Sequence, residues 1–249
     1  MKNKIGWCSM TFNPCWGCLN NCEYCYARKI AKRFGGIQFR KEWEYRTEHN
    51  MEYADVYFKL KNSLDLVNFK PTFLHSQFNK RFPKKSQRIF VGSMSEIYYW
   101  EEEWIEKIIE KIKQYPQHTF QFLTKFPGVY LWYKFPVNCW LGITITDTKN
   151  YDQTEYYKFK VSNPNNLKFV CFEPLLDEID VNLEGVDWVI LGAESGNRKG
   201  KIIPKRKWIE SIVRYCKKNN IPIYLKDSIL LGNIKNIYPE EIKMFPEVK

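Results

Sequence analysis

The sequence predicts an α/β fold in which parallel strands alternate with helices and curl into a full or partial (β/α) barrel of six or more strands. Three observations lead there. From residue 89 onward, short apolar runs of strand length alternate with stretches whose apolar residues repeat at helical spacing, a pattern that implies parallel strands joined by right-handed crossovers. Polar residues also recur at the carboxyl ends of these strands: Ser93, Ser95, Lys125, Thr146, Asp147, Glu173, Glu194, Lys226 and Asp227. One such residue is ordinary loop chemistry, whereas recurrence at successive strand ends is what a barrel's site produces. Finally, 249 residues with 44% hydrophobic content suit a single domain over 1–249, with no linker, repeat or low-complexity tract.

Residues 5–12 read as a first strand leading into a loop at 13–26. A helix is expected over 26–34, ended by Gly35 and Gly36. The segment 37–88 is variable in character and a candidate to face a substrate: 51–66 is partly helical in pattern and 71–74 reads as a strand. It ends in the basic run Lys80, Arg81, Lys84, Lys85 and Arg88, a candidate phosphate-contacting surface against the plainer reading of a solvated face. A buried strand at 89–91 follows, ending in Gly92-Ser93-Met94-Ser95-Glu96. Trp104, Ile105, Ile108, Ile109 and Ile112 then form a helical stripe closed by Pro116. Further strands are expected at 119–124, 139–146, 168–172, 187–191 and 221–225, with a second helical stripe of Trp208, Ile209, Ile212, Val213 and Cys216 before the last. Residues 232–249 read as an irregular tail.

The loop at 13–26 carries the chemistry. Cys18, Cys22 and Cys25 stand as C-x3-C-x2-C, with Tyr24 just before the last cysteine. Three thiolates on one tight loop can hold three irons of a cubane [4Fe–4S] cluster, leaving the fourth iron without a protein ligand. Other arrangements compete. Cys15 with Cys18, and Cys22 with Cys25, form two C-x2-C pairs of the kind that bind zinc. Only three residues separate the pairs, where zinc ribbons usually place a long loop. With Cys15 as a fourth ligand the cluster would be closed, and disulfides would need an oxidising compartment. Elsewhere, Cys139 and Cys216 fall on apolar faces and read as small core hydrophobes. Cys171 shares strand parity with Glu173, so the two face the same way.

The formal charge is +11, from 39 Lys+Arg against 28 Asp+Glu, and such a balance attracts nucleic acid. A lysine-rich composition with no binding role is the alternative. Aromatic residues at 17% include rings that can stack on unpaired bases, although most belong in the core. Arg28 and Arg33, on the helix after the cysteine loop, are candidates to face a substrate phosphate or are simply solvated. The first residues show no apolar run after their charges, so no signal peptide is expected. No apolar segment has membrane-spanning length. A cytoplasmic location without membrane contact is expected, where clustered thiols stay reduced and favour metal over disulfide.

The cysteine spacing, with its aromatic before the third cysteine, resembles the radical S-adenosylmethionine (radical SAM) superfamily. Within it the chain resembles, almost end to end, a bacteriophage- and prokaryote-borne family of unassigned reaction, itself distantly similar to spore photoproduct lyase, which repairs DNA. The matching stretches are Thr-Phe-Asn-Pro at 11–14, Cys-Glu-Tyr-Cys-Tyr-Ala at 22–27, Gly-Ser-Met-Ser-Glu at 92–96 and Gln-His-Thr-Phe-Gln-Phe-Leu-Thr-Lys at 117–125. Trp-Leu-Gly-Ile-Thr at 140–144, Phe-Glu-Pro-Leu-Leu at 172–176 and Asp-Trp-Val-Ile-Leu-Gly-Ala-Glu-Ser-Gly at 187–196 complete them. Two departures stand out: the family has a longer insert before its second cysteine, and Cys15 stands where it has another residue.

The resemblance implies a radical-SAM-type barrel whose [4Fe–4S] cluster is held by Cys18, Cys22 and Cys25, with S-adenosylmethionine on the open iron. It implies a 5′-deoxyadenosyl radical that abstracts a substrate hydrogen, and an electron donor such as flavodoxin or ferredoxin. Tyr24 is then a candidate to pack near the adenine, Gly92 and Ser93 to approach the amino-acid end of S-adenosylmethionine, and Gly192, Glu194 and Ser195 to meet the ribose. Glu173 and Lys125 are candidates for substrate contact or proton transfer, with a structural ion pair as the alternative. Cys171 is a candidate to return a hydrogen atom to a product radical, against the reading of buried filler. The function expected is repair or modification of nucleic acid. The alternatives are a radical enzyme acting on a peptide or small molecule, and a non-catalytic nucleic-acid-binding protein with a zinc or closed iron–sulfur site.

Overall fold

Strands and helices alternate along the chain as the apolar runs require. The computed structural model describes residues 5–51, 63–149, 151–180, 182–230 and 243–247. The strands are β1 (Met10–Phe12), β2 (Cys15–Trp16), β3 (Thr72–Phe73), β4 (Arg88–Val91), β5 (Thr119–Thr124), β6 (Cys139–Thr144), β7 (Lys168–Phe172), β8 (Trp188–Leu191) and β9 (Ile223–Leu225). The helices are α1 (Tyr26–Glu48), α2 (Ser63–Val67), α3 (His75–Phe78), α4 (Glu102–Lys113), α5 (Gln153–Val161), α6 (Arg206–Lys218) and α7 (Asp227–Leu230). Seven parallel strands form one open sheet in the order β1-β4-β5-β6-β7-β8-β9, so the fold class is mixed α/β, a partial (β/α) barrel. The chain divides into two compact units, Cys8–Phe120 and Met1–Trp7 with Gln121–Lys249.

In the unit Cys8–Phe120, β1 pairs in parallel with β4, Phe12 opposite Val91. The strand expected at 71–74 is present as β3, which pairs antiparallel with β2 and sets Cys15 opposite Phe73. Helix α4 buries Ile105, Ile108, Ile109 and Ile112, the stripe read from the sequence. Helix α1 departs from expectation: it runs straight through Gly35 and Gly36 to Glu48. The reason is packing. A Cβ on Gly35 would lie 2.8 Å from Val67 N and 2.9 Å from the Leu66 carbonyl, so this glycine is where α1 and α2 meet backbone to backbone. Of the helical pattern at 51–66, the last part is seen in α2, and 52–62 lie outside the described residues.

In the second unit, β6 to β9 pair in parallel with neighbours in order. All of β7 and β8 is buried, which is why their sequences read as unbroken apolar runs. Trp7 packs its ring 6.1 Å from that of Phe169 and 6.3 Å from that of Trp188, tying the amino-terminal segment to this unit. Helix α6 buries the expected stripe of Trp208, Ile209, Ile212, Val213 and Cys216. Helix α5 was not legible in the sequence. It is capped by Asp152, whose carboxylate accepts from Thr154 and Glu155 N–H, and it buries only Tyr156 and Phe159. Most of the expected tail lies outside the described residues; of the rest, Lys243 bridges Tyr224 and the Met244 carbonyl accepts from Trp188 Nε1.

Candidate metal centre

The cysteine loop leaves the end of β1, runs through β2 and closes at the amino terminus of α1. Cys25 is the N-cap of that helix, and its Sγ accepts the Arg28 N–H at 3.3 Å. Cys18 Sγ accepts the Asn20 N–H at 3.3 Å, and Cys25 N donates to the Cys22 carbonyl. Backbone N–H groups thus already point at two of the three sulfurs, one of them at a helix amino terminus. Cys18, Cys22 and Cys25 are all half-buried. Burial pushes the Cys18 thiol up to about 12; the hydrogen bond from Asn20 opposes this, and Glu96, Cys25 and Cys22 add to it. Cys18 therefore lies within electrostatic reach of both other thiols.

Cys15 does not join them. It is fully buried in β2, its thiol is raised well above the usual range by burial and then by Glu101, and it is not among the charges acting on Cys18. All eight cysteines carry free thiols. Among the described residues, no three His, Cys, Asp or Glu side chains converge as ligands of one metal ion. A cubane asks for something else: each cysteine binds a different iron, so its ligands ring the cluster rather than meet at a point. Three half-exposed thiols on one loop, two of them already accepting backbone N–H groups, fit that donor set.

The turn after β4 lies against this loop. Tyr26 donates its hydroxyl to the Ser93 carbonyl at 2.6 Å, Ser93 Oγ donates to Asn13 Oδ1 at 3.0 Å, and Gly17 N donates to the Met94 carbonyl at 2.9 Å. Gly92 adopts φ +77, and a Cβ there would meet the Trp100 ring at 2.8 Å, so the turn needs glycine. Gly92 and Ser93 are thus brought to the cysteines, as is Glu96, buried at 6% exposure. Tyr24 is half-buried in the loop itself. Arg28 turns away from the solvent-facing role considered for it: its guanidinium reaches back to the loop, donating to the carbonyls of Cys18 at 3.1 Å and Asn20 at 2.8 Å. Asn20 in turn accepts from the Tyr99 hydroxyl at 2.9 Å. The Asn20–Tyr99 contact was missed in the sequence; nothing in local spacing signals a partner 79 residues away.

The remaining candidates sit in the second unit, at the carboxyl ends of its strands. Lys226 donates to the Glu173 carboxylate, and Cys171 Sγ lies 3.9 Å from the other oxygen of that carboxylate. Cys171 is fully buried; burial and then Glu173 push its thiol well up, while Lys226 and Lys125 act against this, so Lys125 is within electrostatic reach of the group. Gly192 makes room for it, since a Cβ there would stand 2.8 Å from Glu173 Cδ. The shared parity of Cys171 and Glu173 thus places both in one polar cluster. Glu194, buried at 2% exposure, accepts from Arg198 through both oxygens, at 2.8 and 2.9 Å. Ser195 is exposed beside it. Cys139 and Cys216 are buried core residues, as their apolar faces predict.

The basic run also has a definite setting. Lys80, Arg81, Lys84 and Lys85 are exposed, and none makes an ion pair among the described residues. Burial, and then the nearby charge of Lys41 on α1, hold the Lys80 ammonium below its usual range, so like charges gather here. Among the described residues no helix is long and apolar enough to cross a membrane.

Comparison with known proteins is sparse. No curated protein and no solved structure gives a significant match. The profile of one family, described as "Protein of unknown function (DUF5131)", matches residues 2–235, nearly the whole chain with its cysteine loop and strand-end motifs, and the protein belongs to that family.

Proposed function

We propose that this protein is a radical S-adenosylmethionine enzyme that holds a [4Fe–4S] cluster on Cys18, Cys22 and Cys25 and acts on nucleic acid. The observation that supports it most is the composition of the loop: three neighbouring half-exposed thiols, with Cys15 turned into the core, give a cubane one ligand fewer than its irons. When bound, the cluster and S-adenosylmethionine would supply one-electron cleavage and hydrogen-atom abstraction from the substrate. The chain's own residues do the rest. The Gly92–Ser93 turn, held by Tyr26 and Asn13, presents backbone groups beside the cysteines and is the candidate seat for the amino-acid end of the cofactor. Glu173, charge-paired with Lys226, and Lys125 are the candidates to orient the substrate or hold a proton. Cys171 remains a protonated thiol at neutral pH, the form able to give up a hydrogen atom. Gly192, Glu194 and Ser195 stay as the weaker candidates for the ribose, and the exposed cations at 80–85 support nucleic acid as substrate.

The test is anaerobic purification followed by incubation with S-adenosylmethionine, dithionite or a flavodoxin-type reductant, and damaged or undamaged oligonucleotides. Brown protein with about four irons per chain that releases 5′-deoxyadenosine is expected, with release stimulated by one class of oligonucleotide. Cys171→Ala is expected to keep release but raise the fraction of unfinished product. Colourless protein with stoichiometric zinc would replace this reading with that of a binding protein. Turnover stimulated only by peptides or small molecules would keep the enzyme and discard its substrate.

A further inference from the structure

We propose that Arg28 is the positioning residue of the cysteine loop and the cation that tunes the potential of the iron held there; this rests on the iron–sulfur reading of Cys18, Cys22 and Cys25. The loop between Cys18 and Cys25 has no regular secondary structure to fix three ligands, yet one residue reaches both its ends, Cys25 through its backbone N–H and Cys18 through its side chain. The Arg28 backbone N–H donates to Cys25 Sγ, and one guanidinium nitrogen, Nη2, donates to the carbonyls of both Cys18 and Asn20. Asn20 passes the restraint on, since its own N–H donates to Cys18 Sγ. The guanidinium also lies 5.3 Å from the centroid of the Phe69 ring, and the Phe69 carbonyl accepts the Cys18 N–H at 2.8 Å. Arg28 therefore touches the backbone or sulfur of two of the three proposed ligands.

Its charge is as informative as its geometry. An arginine placed for packing alone would be expected to meet a carboxylate, but among the described residues Arg28 forms no ion pair, and its buried Nε has no acceptor. The full positive charge is lodged against the loop, bonded only to neutral carbonyls. Reduction adds negative charge to a cluster, so an adjacent cation favours the reduced form and raises the potential. Lysine keeps the charge but lacks the planar guanidinium that lies over the Phe69 ring while Nη2 holds the two carbonyls, and this separates the two roles.

The experiment compares reconstituted wild type with Arg28→Met, Arg28→Lys and the exposed control Arg33→Met. Iron and sulfide per chain, cluster loss to a chelator and midpoint potential are read without turnover, with circular dichroism to confirm folding. Arg28→Met is expected to lose its cluster about tenfold more readily, the scale on which outer partners of metal ligands act, and to show a lower potential. Arg28→Lys should restore the potential more than the retention, and Arg33→Met should match wild type. A folded Arg28→Met that keeps wild-type retention and potential would overturn the proposal alone. If that variant does not fold, Arg28→Lys decides, and wild-type retention in it overturns the proposal. Wild-type protein that takes up no iron would overturn the cluster reading and this inference together.

Discussion

Glu42 lies fully buried on α1, where burial by itself would push its carboxyl up. Hydrogen bonds outweigh that: His75 N–H donates to one oxygen at 2.8 Å, Ser76 N–H to the other at 2.9 Å, and Arg46 Nε to the first at 2.8 Å. The His75 ring closes the cluster, its Nδ1 lying 2.9 Å from an Arg46 guanidinium nitrogen and 3.4 Å from the first Glu42 oxygen. Against burial, the His75 side chain, then Ser76 and Arg46, hold the carboxyl down at about 2, below its ordinary 4.5. Because the folded value is the lower one, its contribution to stability is complete above the unfolded value and drains away as pH falls from about 4.5 toward 2. Glu42→Gln is therefore expected to cost about 3 kcal/mol at pH 7, leaving Arg46 buried without its partner. Urea unfolding should show the gap to wild type closing as pH is lowered through that window, and a gap independent of pH would contradict it. This network was invisible in the sequence, because it joins residues more than thirty positions apart through backbone N–H groups that carry no side-chain signature.

At the scale of the element, α1 shows how the same residue type can mean opposite things two positions running. Gly35-Gly36 reads as a helix stop, since glycine is the commonest residue just past a helix end. Here Gly35 is a contact and Gly36 faces open space, with nothing within 4 Å of an added Cβ. Gly36→Ala is expected to stabilise the protein by about 1 kcal/mol, the helix propensity gained without a clash. Gly35→Ala gains the same propensity but forces α2 backbone away, so a net loss is expected. Thermal melts of the two variants should move in opposite directions, and a shared sign would deny the close approach of α1 to α2. Burial explains the rest of what was legible. Strands β7 to β9 are buried along their whole length and announce themselves as apolar runs, while α5 is hidden because only Tyr156 and Phe159 turn inward among polar residues. The grouping of Cys18, Cys22 and Cys25, the proposed ligands, was legible from spacing; the contacts of Arg28, Asn20 and Tyr99 at their loop were not, because folding rather than spacing brings them there.

Across the whole chain the net charge of +11 is unevenly neutralised. Lys107 and Lys113 on α4 each pair with a glutamate a turn away, as do Lys158 on α5 and Arg206 on α6. Such pairs contribute little to stability, but they leave little net charge for a polyanion to meet. The exposed run at 80–85 differs, with no ion pair among the described residues and with Lys41 close enough to repel Lys80. Gathering like charge costs free energy in the isolated protein, and a phosphate backbone relieves that cost while releasing counterions. The Lys80→Ala, Lys84→Ala, Lys85→Ala triple variant is therefore expected to bind single-stranded oligonucleotides more weakly at low salt. Its plot of log affinity against log salt should be shallower by about 2, three contacts at roughly 0.7 each. Lys107→Ala with Lys113→Ala removes charge that is already answered, and should leave the slope near that of wild type. Equal slopes for wild type and the triple variant would mean that this surface is only solvated and that any nucleic acid engages the protein elsewhere.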